Sequence, residues 1–210
     1  MVRILLVRHG QVPGIEPERF RGDANYQLTE RGRYEAQLTA RRIAHHWQPS
    51  IIYTSPRQRC IDTGHAIAEQ CGAPTRVLDD LYDLDYGAWT DKTHEEIREL
   101  HPAEYRRWKT QPHLMRFPGG ISLQEVALRV ADALRYVIDQ HPDGTVVLVG
   151  HDSGNRCLLL QVLGLPLSAY WTIRQTPCGI SEFLAGNDGL TVLRLNESAH
   201  LEAIDASREI

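Results

Sequence analysis

Thr145-Val146-Val147-Leu148-Val149, followed at once by Gly150-His151-Asp152, is the stretch that decides the fold. The run carries no charge, does not alternate polar with apolar, and is mostly β-branched. A strand of this kind is buried on both faces, as in the centre of a parallel sheet. Upstream, Leu123, Val126, Ala127, Val130, Leu134, Val137 and Ile138 recur at three- and four-residue spacing. That spacing predicts a helix over 122–140 with one buried face, and Ser122 with Glu125 matches a capping box at its start. Downstream, residues 153–164 read as a helix closed by Gly164 ahead of Pro166. Residues 180–185 and 190–195 read as late strands.

The N-terminal half repeats the alternation. Residues 2–7 predict a buried strand, and Thr29 is placed to cap a helix over 30–46. Ile51-Ile52-Tyr53-Thr54 reads as a short strand. Ser55-Pro56 then reads as a helix start running to about residue 70, with Ser as cap and Pro at the first helical position. Residues 93–110 are helical and polar, interrupted at His101-Pro102. The expected fold is therefore α/β: a three-layer sandwich with a mostly parallel central sheet and helices on both faces. One domain over 1–210 is expected, with a small helical cap formed by about 90–120.

The chain has 210 residues, which suits one domain with a full core. With 42% hydrophobic and 24% charged residues it reads as globular. A net charge of −4 weighs against nucleic acid or a membrane surface as partner. The apolar run Val2–Val7 meets Arg8 at once and is too short for a signal peptide, so a cytoplasmic location is expected. Cys60, Cys71, Cys157 and Cys178 form no C-x-x-C pair and read as separate thiols. No His/Cys cluster has metal-site spacing.

In open α/β sheets, ligands bind beyond the carboxyl ends of the strands. Three such ends are chemically rich here: Arg8-His9-Gly10, Gly150-His151-Asp152, and Thr54-Ser55-Pro56 followed by Arg57 and Arg59. Arginine is always charged and its planar fork matches phosphate oxygens. Helix starts after Ser55 and Asp152 add free N–H groups and partial positive charge. Together these features describe an anion pocket, most simply one for phosphate.

Six ordered motifs over nearly the whole chain resemble the histidine phosphatase superfamily, also called phosphoglycerate-mutase-like. Arg8-His9-Gly10 resembles its signature tripeptide. Phe20-Arg21-Gly22 and Leu28-Thr29-Glu30-Arg31-Gly32 resemble the next landmarks, and Tyr53 to Cys60 its second arginine motif. Leu81 to Trp89 resembles the acid-bearing segment, Pro118-Gly119-Gly120-Ile121-Ser122 the Gly-Gly-Glu-Ser turn, and Gly150-His151-Asp152 the site of the second histidine.

The resemblance implies a nucleophilic His9 that forms a phosphohistidine. It implies a phosphate clamp of Arg8, Arg59 and His151, with Arg59 preferred to Arg57 because the family's arginine stands four residues after the Ser. It implies Asp83 as general acid, with Asp85 as the alternative donor. The family usually carries Glu there, and Asp is shorter by about 1.5 Å. On an extended segment Asp83 and Asp85 would share a face. Gln11, Arg21, Gly22 and Asp152 are implied contacts to substrate. Gln11-Val12-Pro13-Gly14-Ile15 lacks the family's usual phosphate-touching Asn; Arg21 either compensates for it or is a surface residue. Asp152 either caps a helix or reads substrate. Ile121 replaces the turn's Glu and removes a partner for an active-site Arg. Trp89, Tyr105, Trp108, His113 and Phe117 are candidate cavity walls, with cap packing as the plainer reading of most of them.

The implied reaction is hydrolysis of a small phosphorylated substrate without metal or other cofactor, and a homodimer is an assembly the family allows. Two alternatives stand beside it. One is a mutase-type phosphotransferase, disfavoured because residues 92–118 are short and carry Glu95, Glu96, Glu99 and Glu104. The other is a non-catalytic phosphate-binding module on the same fold.

Overall fold

Along the first strand, β1 (Val2–Arg8), successive side chains enter two different cores. Leu5 and Val7 join Ile52, Val147 and Val149 on one face of the sheet, under Ala40, Ile43, Cys60 and Ile67. Ile4 and Leu6 join Tyr53, Val146 and Leu148 on the other, under Val126, Val130, Leu158 and Leu159. This two-sided burial is the physical meaning of the unalternating apolar runs. The computed structural model of the chain describes residues 1–15, 18–22, 24–186 and 189–202.

The elements follow in the order β1, α1 (Glu30–His46), β2 (Ile51–Thr54), α2 (Gln58–Cys71) and β3 (Thr75–Val77). Then come α3 (His94–Leu100), α4 (Pro102–Thr110), α5 (Leu123–Gln140), β4 (Thr145–Gly150), α6 (Asp152–Val162), β5 (Ile180–Gly186) and β6 (Gly189–Glu197). Among the described residues the strands form one sheet in the order β3-β2-β4-β1-β5-β6. Neighbours from β3 to β1 are parallel, while β5 and β6 are antiparallel. Helices α1 and α2 cover one face; α5 and α6 cover the other. The expected mixed α/β, three-layer arrangement is thus what the chain adopts.

The caps follow their chemistry. Thr29 accepts the Gly32 N–H at the start of α1. Ser122 with Glu125 and Thr93 with Glu96 each close a full capping box, at α5 and α3. One expected cap differs. Helix α2 begins at Gln58 with Arg57 in the capping position, so Pro56 is not its first helical residue. The Ser55 hydroxyl is engaged by His151 instead, at 2.7 Å. Strand β3 has no counterpart in the sequence reading, because Thr75-Arg76-Val77 is a short edge strand with no apolar run. No helix among the described residues is long and apolar enough to cross a membrane.

The segment 90–120 folds back over the α5/α6 face. Trp89, Trp108 and Phe117 are buried in one aromatic cluster with Tyr86, their rings meeting edge-on at 4.9–6.1 Å. Edge-to-face pairing of this kind adds a little to the burial of each ring.

Candidate active site

Strands β2, β4 and β1 are adjacent, so their carboxyl ends open on one spot. Pairing continues one step past each strand: the His9 N–H donates to Gly150 O and the Ser55 N–H to Val149 O, both at 3.0 Å. His9 and His151 are consequently fixed side by side, ring centroids 5.3 Å apart and planes at 65°. Behind His9 the chain passes very close to α1. A Cβ on Gly32 would stand 2.0 Å from Gln11 O, so only glycine fits there.

The hydrogen bonds assign the ring protons. His9 Nδ1 lies 2.7 Å from Gly10 O. A carbonyl only accepts, so Nδ1 carries the proton and Nε2 keeps its lone pair. Arg59 Nε can only donate, and it meets His151 Nδ1 at 3.3 Å. His151 therefore holds its proton on Nε2 and gives it to Ser55 Oγ. Burial is the largest influence on both rings, with Arg59 and Arg8 adding to it. Both pKa values fall well below the usual imidazole range.

Arg59 is fully buried in the first turn of α2. Its Nη1 donates to Ala24 O at 2.7 Å, and its Nη2 donates to Gly22 O and to Asp83 Oδ2, both at 3.2 Å. Arg57 points elsewhere, its guanidinium 4.3 Å from the Tyr82 ring centre. Arg8 donates to Gln175 O and reaches Asp152 Oδ1 at 3.3 Å.

Asp83 is 8% exposed. Its Oδ1 accepts the Leu84 N–H at 2.9 Å, which turns Oδ2 toward Arg59 and to within 3.5 Å of His151 Nδ1. Burial raises its pKa, with Arg59 opposing. Asp85 behaves differently: its Oδ1 accepts the Gly87 N–H at 2.8 Å and closes a local turn. Asp83 lines the cavity over this cluster and Asp85 does not; the chain is not extended at Asp83, where the consecutive carbonyls of Tyr82 and Asp83 turn to one Arg129 nitrogen.

A cavity of about 590 Å³ opens over this cluster, lined among others by Arg8, Gln11, Arg21, Gly22, Asp83 and Asp152. His9, Arg59 and His151 are buried beneath that lining, joined to it through Gly22 and Asp83. Arg21 donates to Gly14 O at 2.6 Å, and burial beside Arg8 pushes its pKa down. The Gln11 N–H donates to Glu35, and its side-chain oxygen accepts from Thr29. Asp152 begins α6 and pairs with both Arg8 and Arg156. Of the candidate aromatic walls, Trp108 lines the cavity, while Trp89 and Phe117 are aromatic core. Tyr105 bonds to His94, and neither Tyr105 nor His113 reaches the lining. Ile121 packs against the larger apolar core.

Several lining residues carry no sequence motif. Arg156 also donates to Tyr170 O at 3.2 Å, and the buried carboxylate Glu35 accepts from Arg31 at 2.9 Å. Both belong to pairs at i,i+4 spacing, Asp152/Arg156 and Arg31/Glu35, a pattern readable in sequence. Arg129, whose Nη2 donates to Tyr82 O and Asp83 O, each at 2.9 Å, left no such trace. Among the described residues no group of three or more His, Cys, Asp or Glu is arranged to hold a metal ion.

The arrangement thus gathers an imidazole that burial and arginines disfavour protonating, two arginines and a buried acid under one cavity. Comparison with known proteins gives the family. Phosphoserine phosphatase 1 of Hydrogenobacter thermophilus is 32% identical over 201 residues, covering 96% of this chain and 95% of that protein. A probable phosphoglycerate mutase GpmB of Cronobacter sakazakii is 32% identical over 181 residues, 86% and 84% of the two chains. The solved structure of Bacillus stearothermophilus YhfR superposes with a TM-score of 0.89 over 96% of this chain and all of that one, at 24% identity. The family model of the histidine phosphatase superfamily (branch 1) matches residues 4–198, and the chain belongs to that superfamily.

Proposed function

We propose that this histidine phosphatase hydrolyses a small phosphomonoester through a phosphohistidine on His9. The observation that carries the reading is the Nδ1–H to Gly10 O bond, which leaves Nε2 bare beside Arg8, Arg59 and His151. In the first step Nε2 attacks phosphorus and the ester oxygen departs. Arg8 and Arg59 neutralise the phosphoryl oxygens as charge moves across them. Asp83 gives its proton to the departing alkoxide. In the second step water attacks the phosphohistidine, Asp83 takes a proton back, and orthophosphate leaves.

The free protein supports a way of arming the acid. Asp83 serves as the counter-ion of Arg59. An incoming phosphate dianion takes over Arg59 and adds a negative charge nearby. Both changes favour the protonated carboxyl that the first step needs. Arg21 and Asp152 line the cavity above the clamp and would meet the organic part of the substrate. The name of the Hydrogenobacter relative makes phosphoserine the first substrate to test, and the name of the Cronobacter relative makes a phosphoglycerate the second.

The experiment is rapid acid-free denaturation during turnover of a ³²P-labelled monoester. Label on His9, lost in His9→Ala, is expected; a folded wild-type protein that turns over substrate with no labelled histidine would overturn the mechanism. Adding a bisphosphate primer to 3-phosphoglycerate separates hydrolysis from mutase transfer: release of orthophosphate without isomerised product is the expected result.

A further inference from the structure

We propose that Arg129 is a positioning residue that sets the reach of the shortened acid, Asp83; this rests on the reading of Asp83 as proton donor. Aspartate carries its oxygens about 1.5 Å less far than glutamate, so its backbone must be held forward. The structure supplies such a hold from α5. One nitrogen, Arg129 Nη2, binds two consecutive carbonyls, Tyr82 O and Asp83 O. With both carbonyls turned toward α5, the Asp83 side chain projects to the opposite side. There its Oδ1 is tied by Leu84 N–H and its Oδ2 meets Arg59.

The hold is two-sided. The Tyr82 ring lies 4.3 Å from the Arg57 guanidinium and 5.9 Å from that of Arg129. Arg57 caps α2, the helix that carries Arg59. The two-residue unit Tyr82-Asp83 is therefore gripped by the helix that presents the clamp arginine and by α5, which is itself anchored by its capping box. Tyr82 closes the preceding turn through its N–H to Asp79 O at 3.0 Å, and past that turn these contacts hold the peptide unit that carries the carboxyl. Arg129 Nε is buried without a hydrogen-bond partner, and burial pushes the pKa of the side chain down. The guanidinium is thus partly desolvated to serve two main-chain carbonyls.

A residue that only supports folding would slow all substrates alike. A residue that aims the acid slows those whose leaving group needs the proton. The test compares kcat/KM for glycerol 2-phosphate, a poor alkoxide leaving group, with p-nitrophenyl phosphate, whose phenolate leaves unaided. For Arg129→Met a loss of about 30-fold on the alkyl ester and under about 3-fold on the aryl ester is expected. Arg129→Lys, which keeps the charge and part of the hydrogen bonding, should show a smaller split of the same sign. Asp83→Asn should show the largest split, and Asp83→Asn with Arg129→Met should lose no more than Asp83→Asn alone. Equal losses on both esters in Arg129→Met and Arg129→Lys, or losses that add in the double variant, overturn the role of Arg129. No split in Asp83→Asn overturns the assignment of the acid itself, a separate failure that removes the premise.

Discussion

The base of the cavity and its wall are built by opposite means. At the base, His9, Ser55 and His151 follow three adjacent parallel strands, and main-chain hydrogen bonds continue the ladder to His9 and Ser55. Their positions are set by the sheet. The wall that carries Asp83 runs through residues 78–90 as tight turns and irregular chain, tied to the rest by scattered main-chain bonds at Leu78, Asp85 and Ala88 and by side chains around Asp83 itself. Gly87, at φ +51°, is a point of close packing: a Cβ there would stand 2.2 Å from Pro118 O. The base handles charge that is present in both chemical steps, so rigidity serves it. In the proposed mechanism the wall handles a proton that must leave and return, from an acid now paired with Arg59. The contrast separates anion binding from proton transfer within one site.

The largest effect should come from the base. His9→Ala is expected to lower kcat by about 10⁴-fold or more, since the nucleophile has no substitute. A residual rate within 100-fold of wild type would show that phosphoryl transfer does not pass through His9. Arg59→Met should cost about 10²–10³-fold. It also removes a cation that lowers the His9 pKa, so the acid limb of the kcat/KM profile should move to higher pH. An unmoved limb would mean that burial alone controls His9.

The wall should give smaller and more selective effects. Asp83→Asn is expected to lose about 10²-fold on alkyl esters. Asp85→Asn should lose less than about 3-fold on any ester, because Asp85 only closes the turn to Gly87. Reversed results would exchange the two carboxylates.

A further effect is on stability. The folded state keeps His9 and His151 neutral, with pKa values well below 6.5. Below pH 6.5 the unfolded imidazoles bind protons that the folded ones refuse. The unfolded state then holds more protons, so stability falls with falling pH, by up to about 1.4 kcal/mol per pH unit for each ring. Asp83, with its raised pKa, works in the other direction at lower pH. Urea unfolding at pH 7.5, 6.5 and 5.5 measures the slope. His151→Gln should flatten it, and an unchanged slope would show that His151 is not held neutral.

Much of the base was legible before any coordinates. Unbroken apolar runs announce strands buried on both faces, and a strand end is a local fact of sequence. Arg8, His9, Arg59 and His151 could thus be marked as one group by the rule that parallel strands bind ligands at their carboxyl ends. The choice of Arg59 over Arg57 came from the family resemblance, which places its arginine four residues after the Ser, and the structure sends the two arginines to different sides. The wall was legible only in part. Alternation predicted one face for Asp83 and Asp85, and it failed because the chain is not extended at Asp83, where consecutive carbonyls turn to one Arg129 nitrogen. The Ser55 cap failed because α2 starts only at Gln58, whose N–H is taken by Asn25 Oδ1, a partner close only in the fold.

The sequence by itself therefore determined the elements, the sheet's buried centre and the residues at its strand ends. These depend on periodicity and on chemistry within a few residues. Only the tertiary structure decided which acid faces Arg59, which nitrogen of His9 bonds to the main chain, and that Arg129, 46 residues along the chain, donates to the Asp83 carbonyl. Those outcomes depend on contacts between segments far apart in sequence, and no local spacing encodes them.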